Sequence, residues 1–236
     1  MIKEALQYLI GLGQIETLEV NGQDYSKSAL HHITQPTADP LKVNTLSGIT
    51  DYLLSKFDED HFVGTMVQVI SHRQVNLVSQ LLCDSQRETY MIAEAFSPKF
   101  NFGQWYDLEN FVIALQSCFI RNEDTERILK IVGNIKESAV KQYNDDGVTQ
   151  QVTAKVGVAK VEDVPVPNPV MLAPYRTFIE VAQPESKFIF RMTQGNRGPE
   201  CALFEADGGA WKLEAMDSIK AFLEEKLVVP GITVIS

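Results

Sequence analysis

VMLAPYRTFIEVAQPESKFIFR, residues 170–191, is the stretch that decides the fold class of this chain. It holds two segments rich in aromatic and β-branched residues, near 177–181 and 188–193, each bounded by a proline, Pro174 and Pro184. Proline has no N–H and a fixed φ, so it marks the ends of strands rather than the middle of a central strand. The stretch therefore predicts two β-strands. Its mixture of aromatic, β-branched and charged residues is typical of a segment that serves the fold.

The sequence predicts more strands on both sides of this stretch, at 15–20, 63–70, 75–82, 89–95, 148–156 and 232–235. Period-two alternation marks those at 63–70, 75–82 and 148–156. Residues 201–205 are expected to pair with 210–214 across a turn at 207–209, and the proline-rich residues 164–169 are expected to form an extended connector.

Helical spacing of apolar residues predicts five helices, at 2–10, 45–57, 104–119, 125–138 and 216–227. Strands come in runs with helices between them, which favours an α+β fold over a doubly wound parallel sheet. We expect mixed, largely antiparallel sheets with four to five interspersed helices. Residues 1–40 are expected to form an N-terminal arm and linker, and 41–236 a single domain with a sub-boundary near 140–168.

The charge balance bears on the choice of partner. The chain has 21 basic and 31 acidic residues, a formal net charge of −10, and no run of three basic residues. A protein that binds nucleic acid neutralises phosphates with a basic face, so this balance argues against nucleic acid as a partner. Acidity of this kind favours solubility.

Three cysteines, Cys83, Cys118 and Cys201, lie far apart without a CxxC motif, which predicts reduced thiols and a cytoplasmic location. The N-terminal apolar run is too short for a signal peptide or a membrane span, so no membrane partner is expected.

Sequence motifs for catalysis, cofactors or metals are absent, so we expect a non-catalytic protein with no cofactor and no metal. The adjacent pair His31 and His32 would point to different sides of a helix or strand, which makes a shared metal ion difficult. The acidic residues 58–60 are interpreted as a helix flank, and residues 144–147 as a turn without the spacing of a calcium loop.

One group of side chains is a candidate ligand site. Tyr175, Arg176, Arg191 and Arg197 would place guanidinium groups beside aromatic rings. Guanidinium groups pair with phosphate oxygens and aromatic faces stack on bases, so this group predicts a nucleotide-type ligand. The alternative is that these arginines pair with Glu180, Glu185 or Glu205 and serve the fold.

Three segments of this sequence resemble a family of phage and prophage proteins. They are PYRTFIEVAQPESKFIFR, the upstream FGQWYDLENFVIALQS and the downstream ALFEADGGAW. The family includes the YfdQ-like proteins of enterobacteria and has no settled biochemical function. The resemblance implies a phage or prophage origin and expression inside a bacterial cell, and it transfers no catalytic residue.

Three functions remain open from the sequence. The first is a phage protein that self-assembles into a homo-oligomer, up to a large or shell-like assembly, because the terminal helix and long hairpins offer contact surfaces. The second is an accessory protein that binds or sequesters a nucleotide signal of host defence. The third is an accessory factor in phage recombination or replication.

Overall fold

The computed structural model describes residues 2–12, 17–20, 23–26, 37–58, 60, 64–82, 85–135, 150–156, 160–227 and 231–236. The chain divides into two compact units, Met1–Ala38 and Asp39–Ser236. The first unit contains the predicted N-terminal helix, α1 (Ile2–Leu12), and a hairpin of β1 (Thr17–Val20) with β2 (Gln23–Ser26). The pair His31 and His32, Cys83 and the predicted turn at 144–147 lie outside the described residues.

The described part of the second unit contains four helices and twelve strands. The helices are α2 (Leu46–Ser55), α3 (Leu108–Cys118), α4 (Glu123–Gly133) and α5 (Trp211–Lys226). The strands are β3 (Leu41–Val43), β4 (Met66–Ser71), β5 (Gln74–Val78), β6 (Thr89–Glu94), β7 (Tyr106–Asp107), β8 (Phe119–Ile120), β9 (Gln150–Val156), β10 (Lys160–Val166), β11 (Val170–Pro174), β12 (Ser186–Gly195), β13 (Gly198–Glu205) and β14 (Thr233–Ile235). The predicted α+β class, with largely antiparallel sheets and helices between the strands, is confirmed.

The first five-stranded sheet has the order β14-β4-β5-β6-β3. Its middle strands form the predicted antiparallel meander, and the edge strands β14 and β3 run parallel to their neighbours. Helices α2 and α5 pack against this sheet. Helix α2 begins after Thr45, whose hydroxyl accepts a hydrogen bond from the N–H of Gly48 at 3.2 Å. The apolar faces form a first core, which includes Leu46, Ile49, Val67, Val75, Leu77, Ile219 and Leu223.

The second five-stranded sheet has the order β7-β13-β12-β11-β8 and is antiparallel at every pairing. Strand β12 buries Phe188, Phe190 and Met192 on one face, and Lys187 and Ile189 are exposed on the other. Helices α3 and α4 cover the buried face. A second core results, which includes Phe111, Leu115, Ile128, Leu172, Phe188, Phe190 and Leu203.

Side chains at the start of α4 form hydrogen bonds with the edge of this second sheet. The carboxylate of Asp124 accepts from the N–H of Met171 at 2.8 Å, and the side-chain amide of Asn122 donates to the carbonyl of Met171 at 2.9 Å. Asn122 is at the same time the N-cap of α4, because its Oδ1 accepts from the N–H of Thr125. The start of a helix and the outer edge of β11 therefore depend on the same side chains.

Residues 175–185 connect β11 to β12, and we call them the joining loop. Phe178 lies in the first core although both flanking strands belong to the second sheet. The hydroxyl of Thr177 donates to the carbonyl of His72, in the turn between β4 and β5, at 2.6 Å. The joining loop therefore connects the second sheet to the first, through the packing of Phe178 and the hydrogen bond of Thr177.

Strands β9 and β10 form a separate antiparallel hairpin with seven residue pairs. Among the described strands, each of the two pairs only with the other, so the hairpin is a two-stranded sheet of its own. Residues 164–166, which were expected in a proline-rich connector, belong to β10, so that prediction was wrong for them.

Two predicted strands are also wrong. Residues 177–181 are loop, because Phe178 packs into the first core and the neighbouring side chains anchor the loop to other elements. Residues 210–214 are not a strand either: residues 201–205 form a strand as predicted, but they pair with β12. The segment from Trp211 is helical because Asp207 accepts from the N–H groups of Gly209 and Trp211, at 3.0 and 3.3 Å, and so starts α5.

Candidate functional site

The structure does not bring the four predicted ligand residues together. Tyr175 and Arg176 lie in the joining loop, Arg191 lies within β12, and Arg197 lies in the turn between β12 and β13. The hydrogen bond from Arg176 to Ser186, at the first residue of β12, places its guanidinium at one end of this ten-residue strand. Arg197 follows the other end, roughly 30 Å away at about 3.3 Å per residue. The four side chains therefore do not share one surface.

Arg176 is engaged inside the fold. Its Nη1 lies 3.0 Å from Oε1 of Glu205, and its Nη2 donates to the carbonyl of Pro184 and to Oγ of Ser186 at 3.2 and 2.8 Å. Its Cζ lies 3.7 Å from the ring centroid of Trp211, and the side chain is only 7% exposed. Burial lowers the pKa of Arg176, and the charge of Glu205 opposes this shift. The pairing with Glu205 is one of the structural alternatives expected from the sequence.

The Arg176–Trp211 stack forms a closed junction between the sheets. The imidazole of His72 meets the Trp211 ring edge-on, with centroids 4.6 Å apart. Within the described residues, Nε of Arg176 and Nε1 of Trp211 are buried and have no hydrogen-bond acceptor. Burial, followed by the positive charges of Lys212, Arg73 and Arg176, lowers the pKa of His72 to about 4. The imidazole is therefore neutral at pH 7 and packs as a ring.

Two polar side chains keep the joining loop in place. The side-chain oxygen of Gln183 accepts from the N–H groups of Arg176 and Thr177 at 2.9 and 3.2 Å, and its amide nitrogen donates to the carbonyls of Phe178 and Val181 at 2.9 and 3.3 Å. The carboxylate of Glu180 accepts from the N–H groups of Leu46 and Ser47 at 2.6 and 2.8 Å. A carboxylate at the start of α2 is favourable because that end of a helix is partly positive. The joining loop is thus a structural connection.

A concave surface runs along α3, and we call it the α3 groove. It has a volume of about 470 Å³ and is lined by Lys99, Trp105, Tyr106, Asp107, Asn110, Ile113, Ala114, Ser117 and Cys118. Hydrogen bonds from the backbone and side chain of Asn110 lower the pKa of Asp107, which is the N-cap of α3. Trp105 is 44% exposed and Ile113 is 55% exposed, so the groove offers apolar surface with polar groups at its ends.

The α3 groove does not carry the groups of a hydrolytic site. Ser117 and Cys118 are neighbours, 3.6 Å apart between Oγ and Sγ, but no histidine is among the residues that line the groove. Among the described residues, no three His, Cys, Asp or Glu side chains are placed to hold a metal ion. The lining combines the apolar Trp105 and Ile113 with polar side chains such as Lys99, Asn110 and Ser117.

The outer face of the second sheet is a second surface with mixed chemistry. We define it by Lys187, Ile189, Arg191, Phe204 and Trp105. Phe204 pairs with Ile189 across β12 and β13, Arg191 pairs with Ala202, and Trp105 meets Phe204 edge-on with centroids 6.2 Å apart. Of the predicted ligand residues, Arg191 lies on this face, two residue pairs along from the pair of Ile189 and Phe204.

Helix α1 exposes apolar side chains at Ile2, Leu6 and Tyr8. Ile2 is 80% exposed, and Leu6 and Tyr8 are 53% and 70% exposed. Ile2 and Leu6 are four residues apart and therefore lie on the same side of the helix. Apolar side chains in this arrangement are typical of a surface that contacts another protein.

The sequence predicted the apolar side of α1, but it missed the α3 groove, Gln183, Glu180 and the Trp211 junction. Their partners are between two and 134 residues away in sequence, at separations that follow no helix or strand period. The only local signal was the group Asp207-Gly208-Gly209 before Trp211, which also fits a helix start.

No protein-family model, curated protein or solved structure matches this chain. In the described part of the chain, no helix is long and apolar enough to cross a membrane.

Proposed function

We propose that this chain is a non-catalytic protein of phage or prophage origin that self-assembles into a homo-oligomer. The observation that carries the proposal is the exposed apolar side of α1 in the first unit, at Ile2 and Leu6. Because exposed apolar surface is costly in water, burial of these side chains against a second copy supplies a driving force for association.

The size of the first unit supports this proposal. Met1–Ala38 has 38 residues and contains no cysteine. Units below about 40 residues usually need disulfides, metals or oligomerisation, because they cannot bury enough of their own surface. The unit has no cysteine and so cannot be stabilised by a disulfide. Association with a second copy of the chain would bury more of its surface.

The β9–β10 hairpin is a second supporting feature. An isolated two-stranded hairpin is marginally stable in water, and additional strands or a packed helix are needed for stability. This hairpin has seven residue pairs and pairs only with itself among the described strands. Val166, at one end of β10, is buried in the second core, and packing of the rest of the hairpin against a second subunit would stabilise it further, as happens when a strand is added to the sheet of another molecule.

The test is the mass of the native protein by light scattering coupled to size-exclusion chromatography. We expect a multiple of the 26.4 kDa chain mass. Leu6→Asp, on the apolar side of α1, should shift the mass towards a single chain at the same protein concentration. Gln7→Asp introduces the same charge on the polar side and should leave the mass unchanged. A wild-type mass of one chain at every concentration would end the proposal.

A second candidate function, a binding protein for a nucleotide-type ligand, is favoured by the outer face of the second sheet. Trp105 and Phe204 offer rings for stacking, and Arg191 offers a guanidinium on the same face. A purified sample with a raised ratio of absorbance at 260 nm to that at 280 nm, lost in Trp105→Ala and in Arg191→Ala, would favour this candidate. A normal ratio in the wild-type protein would count against it.

A further inference from the structure

We propose that the α3 groove of one subunit binds helix α1 of a second subunit; this inference rests on the proposed self-assembly and names the contact that produces it. The two surfaces occur in the same chain, so each subunit supplies one helix and one groove. Such an exchange can close as a symmetric dimer or continue around a ring. The occupant of the groove is therefore a segment of known sequence, IKEALQYLIGL.

The dimensions of helix and groove agree. The groove is lined along α3 by its N-cap, Asp107, and within the helix by Asn110, Ile113, Ala114, Ser117 and Cys118, whose spacing places them on one side. From Asp107 to Ser117 this side extends about 15 Å at 1.5 Å per residue. Helix α1 has 11 residues, which corresponds to about 16 Å. One helix can thus lie along the other for its whole length.

The side chains also agree in chemistry. The groove is lined by the small residue Ala114 and by the larger, exposed Trp105 and Ile113. A small residue lets two helices approach closely, and the larger ones can pack around Leu6 and Ile2 of the incoming helix. Recognition of an amphipathic helix by an apolar groove is a common mode of protein association.

Charge does not oppose this contact. The groove carries one basic and one acidic side chain, Lys99 and Asp107. Helix α1 likewise carries Lys3 and Glu4 as its only charged side chains. Both surfaces are therefore neutral overall, whereas two surfaces with the average charge of this acidic chain would repel.

Cysteine cross-linking between differently tagged subunits tests the contact. One subunit carries Leu6→Cys and a first tag, and the other carries Ile113→Cys and a second tag. Both have Cys83→Ala and Cys118→Ala, which leaves Cys201, whose side chain is fully buried. After mixing and oxidation, we expect a covalent species that contains both tags, because a disulfide requires Cα atoms within about 7 Å of each other. Gln7→Cys replaces Leu6→Cys in the matched control and should give at least fivefold less of that species.

The outcomes separate this inference from the function on which it rests. A doubly tagged species that depends on Leu6→Cys and not on Gln7→Cys supports α1 in the groove. An oligomeric mass without that species, or with equal cross-linking by both positions, overturns the groove assignment and leaves self-assembly standing. A mass of one chain overturns both. As a second variant, Ile113→Asp places a charge on the exposed side of α3 that lines the groove and should reduce the oligomeric mass with α-helical content unchanged.

Discussion

Arg176 is held by three acceptors and one indole ring, so its positive charge serves the interior of the protein. Its two terminal nitrogens donate to Glu205, Pro184 and Ser186, and the ring of Trp211 stacks on its planar face. A guanidinium in such a position is more than an ion-pair partner, because its planar face also fills space next to an aromatic ring.

Arg176→Ala should therefore destabilise the protein by about 3 kcal/mol, because it leaves a cavity beside Trp211 and removes the cation–π contact and the buried hydrogen bonds to Pro184 and Ser186. The change is measured as the free energy of unfolding in urea. Arg197→Ala, in the exposed turn after β12, is the matched control and should change stability by less than about 0.5 kcal/mol. Equal effects of the two substitutions would contradict the structural role of Arg176.

His72 makes stability depend on pH in a defined direction. Its pKa is about 4 in the folded protein and 6.5 as an ordinary imidazole, so between these values the unfolded chain binds more protons. The stabilising contribution of the neutral imidazole is fully present above pH 6.5 and is lost as the pH falls from 6.5 towards 4.

His72→Phe keeps a ring against Trp211 but cannot titrate. The difference in unfolding free energy between wild type and variant should change by about 1–2 kcal/mol between pH 7.5 and 4.5. This change is smaller than the full pKa shift would give, because solvent screens the half-buried ring. Wild type should lose stability relative to the variant as the pH falls. A difference that stays constant with pH would show that the imidazole titrates normally.

At the scale of elements, the joining loop connects the N-terminus of α2 to the second sheet through Glu180. The carboxylate accepts two backbone N–H groups of α2, and Ser47 also donates its hydroxyl to it. These N–H groups have no partner within the helix itself, so the loop completes the hydrogen bonding of α2.

Glu180→Ala should cost about 2 kcal/mol, because hydrogen bonds to a charged group contribute about 1.5–3 kcal/mol and the favourable charge at the helix start is lost. Glu180→Gln, which keeps an acceptor but not the charge, should cost less. Amide hydrogen exchange should be faster at Leu46 and Ser47 in Glu180→Ala. Glu224→Ala, at an exposed position of α5, should leave both stability and exchange unchanged.

Local sequence could predict the elements whose patterns are periodic, and it failed where a residue serves a distant partner. The amphipathic helices and the meander of β4, β5 and β6 follow from spacing alone. Residues 177–181 have the composition of a strand, yet Phe178 fills the first core and Glu180 caps α2. Tertiary contacts outweigh β-propensity there, since propensity mainly reflects how well a side chain fits its packed surroundings.

The candidate site shows the same limit. The predicted cluster of Tyr175, Arg176, Arg191 and Arg197 assumed that residues close in sequence are close in space. Strand β12 separates them, because an extended chain moves about 3.3 Å per residue and alternates its side chains between two faces. The α3 groove combines residues from a loop and one side of a helix, which no run of sequence displays.

For the whole molecule, the two cores of the second unit should unfold together. The joining loop places Phe178 in the first core, and the Arg176–Trp211 stack links α5 to the start of β12. Loss of either core exposes these shared contacts, so we expect a single transition between folded and unfolded states.

The two tryptophans can test this expectation, because Trp105 lies beside β13 and Trp211 begins α5. Trp211→Phe leaves fluorescence only from Trp105, and Trp105→Phe leaves it only from Trp211. In each variant, the urea midpoint from fluorescence should equal the midpoint from circular dichroism. Two midpoints that differ in either variant would show that the cores unfold separately.

The side chains that hold Met171 also affect how the protein aggregates. An additional strand needs free peptide groups at a sheet edge, and those of Met171 are already bonded to Asp124 and Asn122. A foreign strand can join β11 only after it displaces these side chains, and this also removes the N-cap of α4. Growth of intermolecular β-structure at this edge therefore requires local unfolding first, which predicts a lag phase when the protein is heated at high concentration.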